Sequence, residues 1–218
     1  LLGYVPELFC LYANALLAAD RVAEAVQVTE EAQRIAGDGP LVRYTHARAL
    51  VARAGSIGDA QEADALLTIA TSHLHTLLRG DVGGGRSAIS ERYYGPYPEV
   101  LLGYVDLAHG DVDAARERFR TAMRACPEYT ASLTGLARIA RTEGRVHDAL
   151  QICMKVIAVD PRDVDAWIGG AEAQIDLGFD DNARSWVARL EQAMPEHPAL
   201  GSLTERITNG ETRAQAGS

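Results

Sequence analysis

Small residues recur between positions 96 and 197 with a spacing of 34 residues. Three columns carry this period: Gly110, Gly144 and Gly178; Ala115, Ala149 and Ala183; and Pro127, Pro161 and Pro195. Apolar columns lie in phase between them. Glycine closes one helix in a left-handed conformation and proline stops the next helix, so the pattern predicts a stack of helix pairs.

The repeat resembles the tetratricopeptide repeat (TPR) family, whose unit is a helix, a tight turn and a second helix within about 34 residues. In the unit over residues 164–197, five residues match the family's pattern: Trp167, Ala171, Gly178, Ala183 and Pro195. The resemblance implies an all-α fold, a right-handed α-solenoid of about five antiparallel helix pairs with a C-terminal capping helix.

We expect one solenoid domain over residues 1–208. Its units and cap are about 6–39, 41–79, 96–129, 130–163, 164–197 and 198–208. The first two units are degenerate, because Asp20 stands at the first turn and the second turn is stretched around residues 55–59. The second helix of that stretched unit is expected from Ala60 to Arg79. The polar residues 209–218 predict a flexible tail.

An insertion over residues 80–95 breaks the period. Two interpretations stay open: a flexible surface excursion, or a binding loop with Tyr93, Tyr94 and Tyr97 as aromatic anchors. The same segment has the spacing of a phosphate-binding loop, with Arg86 where lysine is expected. Because such a loop works only between a strand and a helix, we do not predict nucleotide binding.

Composition narrows the class of protein. The 218 residues are 47% apolar and carry a formal net charge of −9. No uncharged apolar tract of about twenty residues occurs, which excludes a bilayer span, and the acidic balance disfavours nucleic acid. Cys10, Cys126 and Cys153 lie far apart, so we expect them buried as small hydrophobes in a reducing compartment. The sequence therefore predicts a bacterial, cytoplasmic protein without nucleic-acid or membrane partners.

Residue spacing gives no catalytic or metal-binding grouping. His73 and His75 are two residues apart, so they lie on different faces of a helix and do not share a metal ion. The other histidines are expected to be structural, and no Gly-x-Ser-x-Gly elbow occurs. The run from Arg116 to Arg118 alternates in charge, which is typical of a solvated helix face. We predict no enzyme activity, no cofactor and no metal site.

Stacked helix pairs create a groove lined by the first helix of each unit. Taking Trp167 as facing the core, the 34-residue spacing predicts eight groove residues: Tyr97, Tyr104, Thr134, Arg138, Arg141, Ile168, Glu172 and Asp176. The groove would have an aromatic end, an arginine pair and an acidic end, which suits an extended or helical peptide with both signs of charge. The alternative is that these are ordinary exposed side chains.

Three hypotheses of function follow. The first is a scaffold or adaptor that binds a protein or peptide segment in the groove. The second is an accessory array of a larger bacterial enzyme, such as a glycosyltransferase, or of a transcriptional regulator, mediating substrate-protein docking or dimerisation; the absence of an initiating Met motivates it. The third is homo-oligomerisation through the first helix or the loop over residues 80–97.

Overall fold

A computed structural model describes the backbone of residues 5–80 and 95–216 and the side chains of residues 6–80 and 95–210. This part of the chain forms eleven helices and no strand. They are α1 (Val5–Ala18), α2 (Val22–Ala36), α3 (Pro40–Ser56), α4 (Ala60–Arg79), α5 (Pro96–Ala108), α6 (Val112–Ala125), α7 (Ala131–Thr142), α8 (Val146–Val159), α9 (Val164–Asp176), α10 (Asp180–Ala193) and α11 (Ala199–Ala216). The all-α solenoid class is confirmed. Arg86, Tyr93 and Tyr94 lie outside the described residues.

The turns within helix pairs have the predicted conformation. Gly110, Gly144 and Gly178 have φ values of +81°, +76° and +76°, a left-handed region that glycine enters without strain. Asp20 takes the same role in the first pair with a φ of +56°. The three repeat prolines each follow the last residue of a second helix by two positions, where they stop it.

The helix α4 has the predicted bounds because its start is capped by a side chain. Asp59 accepts hydrogen bonds from the backbone N–H groups of Gln61 and Glu62, at 2.8 and 3.1 Å. At the other end Gly80 closes the helix with a φ of +71°. A capping aspartate and a left-handed glycine supply partners for backbone groups that the helix itself leaves unpaired.

The chain divides into two compact units, residues 1–127 and 128–218, which we call unit 1 and unit 2. In unit 1 the helix α3 packs against its partner α4 and against α1, α2 and α5. In unit 2 the helix α9 packs against its partner α10 and against α7, α8 and α11. In each unit the helices therefore pack around one central helix, which is the first helix of its pair: α3 in unit 1 and α9 in unit 2.

Each unit buries its own apolar core. In unit 1 a cluster of buried side chains joins α3, α4 and α5; it includes Tyr44, Leu50, Leu74, Leu77 and Leu102. In unit 2 a cluster of buried side chains joins α9, α10 and α11; it includes Ala171, Val187, Leu190, Leu203 and Ile207. The absence of a side chain at Gly103 has a steric cause, because a Cβ atom there would lie 2.7 Å from the Phe119 ring.

The C-terminal helix is longer than the sequence pattern indicates. The cap was expected to end near residue 208 and to be followed by a flexible tail, whereas α11 continues to Ala216. Asn209 and Gly210 do not stop it. The residues that follow include glutamate, arginine, glutamine and two alanines, which favour a helix and outweigh the weak propensity of one Gly.

Candidate functional site

Four of the charged side chains on the first helices of unit 2 form a network. We call the surface of α7, α9 and α11 the first-helix face. The Arg141 guanidinium lies 3.0 Å from the carboxylate of Glu172 and 3.4 Å from that of Asp176. The Arg206 guanidinium lies 2.7 Å from Asp176 and 3.6 Å from Glu172. Two cations and two anions therefore link three helices of one unit.

The structure separates the other residues expected in this groove. Arg138 is exposed on α7, one turn before Arg141. Ile168 is half-buried and packs against the core cluster of unit 2. Thr134 is only 7% exposed, and its hydroxyl donates to the carbonyl oxygen of Ala131 at 3.0 Å. Thr134 therefore lies in the interior, where its hydroxyl is satisfied by the preceding turn rather than offered to a ligand.

The two groove tyrosines lie in unit 1. Tyr97 is half-buried and packs against Tyr44, with ring centroids 5.7 Å apart. Tyr104 is half-buried and meets the Phe119 ring edge-on at 5.2 Å. Both aromatic rings are used in packing between helices of that unit. The predicted groove set is thus divided, with two residues in unit 1 and six in unit 2.

A second surface feature of unit 2 lies between its second helices. Two cavities, of about 300 and about 320 Å³, lie between α8 and α10 and are also lined by side chains of α9. Met154, Ser185 and Trp186 line both cavities. We call the two cavities together the furrow. The first cavity also includes Gln174, and the second also includes Trp167.

The furrow is shaped by two tryptophans. Trp167 and Trp186 meet edge-on with ring centroids 4.9 Å apart, and the Trp167 indole N–H donates to the carbonyl oxygen of Pro161 at 2.9 Å. Trp186 lies so close to α9 that a Cβ atom on Gly170 would come within 1.9 Å of its ring. Trp167 is half-buried: it packs against the core cluster of unit 2 and also lines the furrow. The one signal for Trp186 in the sequence was Gly170, a glycine inside a helix.

The polar interior of unit 1 was not foreseen. The Thr29 hydroxyl and His46 Nδ1 share a hydrogen bond of 2.9 Å, and the His46 ring lies edge-on to His73 at 5.3 Å. Arg43 contacts His73 Nδ1 at 2.9 Å and donates to Asp38 at 2.9 Å. These five residues join α2, α3 and α4 and form what we call the histidine cluster.

Burial sets the protonation of this cluster. Burial lowers the pKa of His46 to about 4, and repulsion from His73 when that ring is protonated contributes to the decrease. Burial and the Arg43 guanidinium likewise lower the pKa of His73. The two imidazoles are therefore neutral near pH 7.

Other titratable groups have structural roles. Arg118 is half-buried, not solvated as expected, because it bridges α6 to α5 through Asp106 at 2.6 Å and Glu99 at 3.1 Å. The three cysteines are buried and free, as predicted. Burial raises the pKa of the Cys153 thiol to about 12 and also raises that of Cys10. A thiol held protonated in this way is a poor nucleophile.

Two kinds of feature are absent from the described part of the chain. The described side chains, of residues 6–80 and 95–210, include no set of three or more His, Cys, Asp or Glu arranged to hold a metal ion. In the same part, no helix combines the length and the apolar character needed to cross a membrane.

The sequence and the fold match known proteins. Two tetratricopeptide repeat family models match residues 100–155 and 140–207. A thermophilic TPR protein of Thermus thermophilus is 17% identical, with a TM-score of 0.67 over 95% of this chain and 100% of the other. A tetratricopeptide repeat protein from Parabacteroides merdae is 13% identical, with a TM-score of 0.57 over 98% and 79% of the two chains. No curated protein matches the sequence.

The chain therefore belongs to the tetratricopeptide repeat family, and residues 100–207 carry the matched repeats. In general terms this makes it a protein-interaction scaffold, a fold that is typically non-catalytic. The fold alone does not identify the partner or the surface that binds it, because both depend on the side chains exposed on each surface.

Proposed function

We propose that the protein is an adaptor that binds a partner's segment on the first-helix face of unit 2. The observation that carries the proposal is the charge network of Arg141, Glu172, Asp176 and Arg206, which holds both signs of charge on three adjacent helices. Charged side chains fixed by one another lose less conformational freedom on binding than free ones.

The chemistry of this face suits a segment of mixed charge. Exposed Arg138 lies one turn from Arg141 and has no intramolecular ion pair among the described contacts, so its guanidinium is available to a partner's carboxylate. Glu172 and Asp176 each already accept from arginine, but a carboxylate has further lone pairs for a partner's lysine or arginine. Ile168, one turn before Glu172 on α9, adds a half-buried apolar side chain.

The charge network decides which variant tests the proposal. Reversing the charge of Arg141 would place a carboxylate against Glu172 and Asp176 and destabilise the fold. A loss of binding by that variant would then not be distinguishable from a loss of folding. Arg138→Glu avoids this because Arg138 is exposed and outside the network. Lys155→Glu, which reverses an exposed cation on α8, is the matched control.

The experiment is affinity capture from host lysate with the intact chain and both variants, after their thermal melting curves have been compared. We expect a partner that is retained by the parent chain and by Lys155→Glu but lost with Arg138→Glu. Equal capture by all three proteins would refute binding on the first-helix face.

We propose further that the adaptor works without catalysis in the bacterial cytoplasm. Three buried free cysteines support a reducing compartment, since disulfides form and persist mainly in oxidising ones.

A further inference from the structure

We infer that the furrow between α8 and α10 is a second docking site, for a peptide segment that carries a bulky aliphatic side chain flanked by carboxylates. It lies on the second helices of unit 2 and shares no residue with the charge network of the first-helix face. The inference is independent of the proposed function, because either surface can bind or fail to bind without the other.

The furrow presents apolar side chains to solvent where a folded unit would normally cover them. Met154 is 55% exposed and Phe179 is 46% exposed, and both line the cavities beside Trp186. Single exposed apolar residues are ordinary, whereas a contiguous set around a concave space marks an interaction site. The cavities, at about 300 and 320 Å³, lie at the lower end of the volumes of binding pockets, which is suitable for one or two side chains.

A buried amide points independently to a ligand. Gln174 lines the furrow, is 4% exposed, and its Oε1 atom is buried without a hydrogen-bond partner. Buried carbonyl oxygens are nearly always paired, because leaving water without a new donor is costly. A peptide N–H that enters the furrow beside this side chain supplies the missing donor.

The charge around the furrow selects the sign of the occupant. Among the residues that line the two cavities, Arg189 carries a full charge and no carboxylate is present. The Arg189 guanidinium carbon lies 5.6 Å from the centre of the Trp167 ring, so the cation is held at the edge of the apolar surface. Asn182 and Ser185 add neutral hydrogen-bonding groups. An apolar side chain seated in the furrow thus places its flanking residues near a cation, which favours glutamate or aspartate.

The chain has two tryptophans, and both line the furrow, so intrinsic fluorescence excited at tryptophan reports on this site. The probes are three capped peptides of serine and glycine: one with a central leucine flanked by glutamates, one with that leucine flanked by lysines, and one with serine in place of the leucine between glutamates. We expect saturable changes in emission with the first peptide, and affinity at least tenfold weaker for the other two.

Two variants locate the binding. Met154→Glu places a carboxylate in the furrow and should weaken the glutamate-flanked leucine peptide at least tenfold. Val159→Glu is its matched control on the same helix, because Val159 is 68% exposed and does not line the cavities; it should bind like the parent chain. Arg189→Glu should reduce or invert the preference for glutamate over lysine.

Several results would overturn the inference. They are no emission change with any peptide, equal binding of the lysine-flanked peptide, or full binding by Met154→Glu. Arg138→Glu serves as the discriminating variant. It should leave this peptide's affinity unchanged while abolishing partner capture on the first-helix face, so the two proposals fail separately.

Discussion

The central helices of the two units, α3 in unit 1 and α9 in unit 2, are packed by side chains of opposite character. On α3, His46 is buried against Thr29 of α2 and lies beside His73 of α4. On α9, Gly170 leaves room for the Trp186 ring of α10. Unit 1 thus places a hydrogen-bonded imidazole on its central helix, whereas unit 2 packs an indole ring against a glycine of its central helix.

The difference teaches that the same helix-pair architecture can have different sensitivities. Polar packing depends on protonation, because burial disfavours the charged form of an imidazole, so protonation of the ring destabilises the folded state. Apolar packing against a glycine depends on shape, because no flexible atom separates the ring from the backbone. Substitutions and pH should therefore act on the two units in different ways.

The largest expected effect comes from removing the most buried aromatic ring. Phe119 is fully buried in unit 1 against Gly103 and Tyr104. Phe119→Ala should lower the free energy of unfolding by about 3–5 kcal/mol, since a core ring is lost and a cavity is left. Phe179→Ala, the same change at the half-exposed phenylalanine of unit 2, should cost about 0.5 kcal/mol. Urea unfolding followed by circular dichroism measures both, and equal losses would contradict the burial of Phe119.

The next effect tests the shape dependence of unit 2. A methyl group on Gly170 would overlap the Trp186 ring, with 1.9 Å between the nearest carbons. Gly170→Ala should therefore cost about 3 kcal/mol, at the upper end of overpacking penalties, and shift tryptophan emission.

Gly201→Ala is the control in the same unit. No atom lies within 4 Å of its added Cβ, so that variant should gain about 1 kcal/mol from helix propensity. Unchanged stability and emission in Gly170→Ala would contradict the packing described.

The pH response tests the polar interior of unit 1. The pKa of His46 is about 4 when folded and 6.5 ordinarily, so the folded state binds its proton less readily than the unfolded state. The contribution of neutral His46 to the free energy of unfolding is therefore complete above about pH 6.5 and is lost as the pH falls towards 4. The change in the free energy of unfolding across this range is on the order of 2–3 kcal/mol.

Hydrogen exchange of α3 and tryptophan emission separate the two units in this experiment, because both tryptophans belong to unit 2. We expect faster exchange in α3 at acidic pH. His46→Gln should remove this component of the pH dependence, whereas His75→Gln, at an exposed position of α4, should keep it. Identical pH profiles for the parent chain and His46→Gln would refute a role for His46.

Local signals in the sequence were sufficient for the turns and for the bounds of α4, but not for the end of α11. The left-handed positions at Gly110 and Asp20 and the bounds of α4 depend on a few adjacent residues, and all agree with the structure. The confirmed family rests on the same repeating signals. Side-chain partners were harder, because they depend on rotations that a repeat pattern does not contain. Thr134 shares its column with groove positions but turns inward, and the pairing of His46 with Thr29 joins residues 17 apart on different helices.

The candidate site shows the same limit. Periodicity placed Arg141, Glu172 and Asp176 on neighbouring first helices, but it gave no sign that they pair with one another or with Arg206 of the capping helix. The furrow was missed because the pattern treats second helices as core on one side and solvent on the other. Its shape depends on Gly170, which stands at the repeat position that Leu102 and Leu136 occupy in the two preceding units of the repeat.

The smallest expected effect concerns the charge network of unit 2, which lies at the surface and not in the interiors of the two units. Arg141 is 25% exposed and Glu172 28%, so water screens their attraction, and Arg206 still pairs with both acids when Arg141 is removed. Arg141→Gln should therefore cost only about 0.5–1 kcal/mol at low salt and less at high salt. Arg138→Gln, one turn earlier and outside the network, should be neutral. Urea unfolding of both variants at two salt concentrations decides the matter: equal stability of the two, or a loss that does not decrease with salt, would contradict a network of ion pairs.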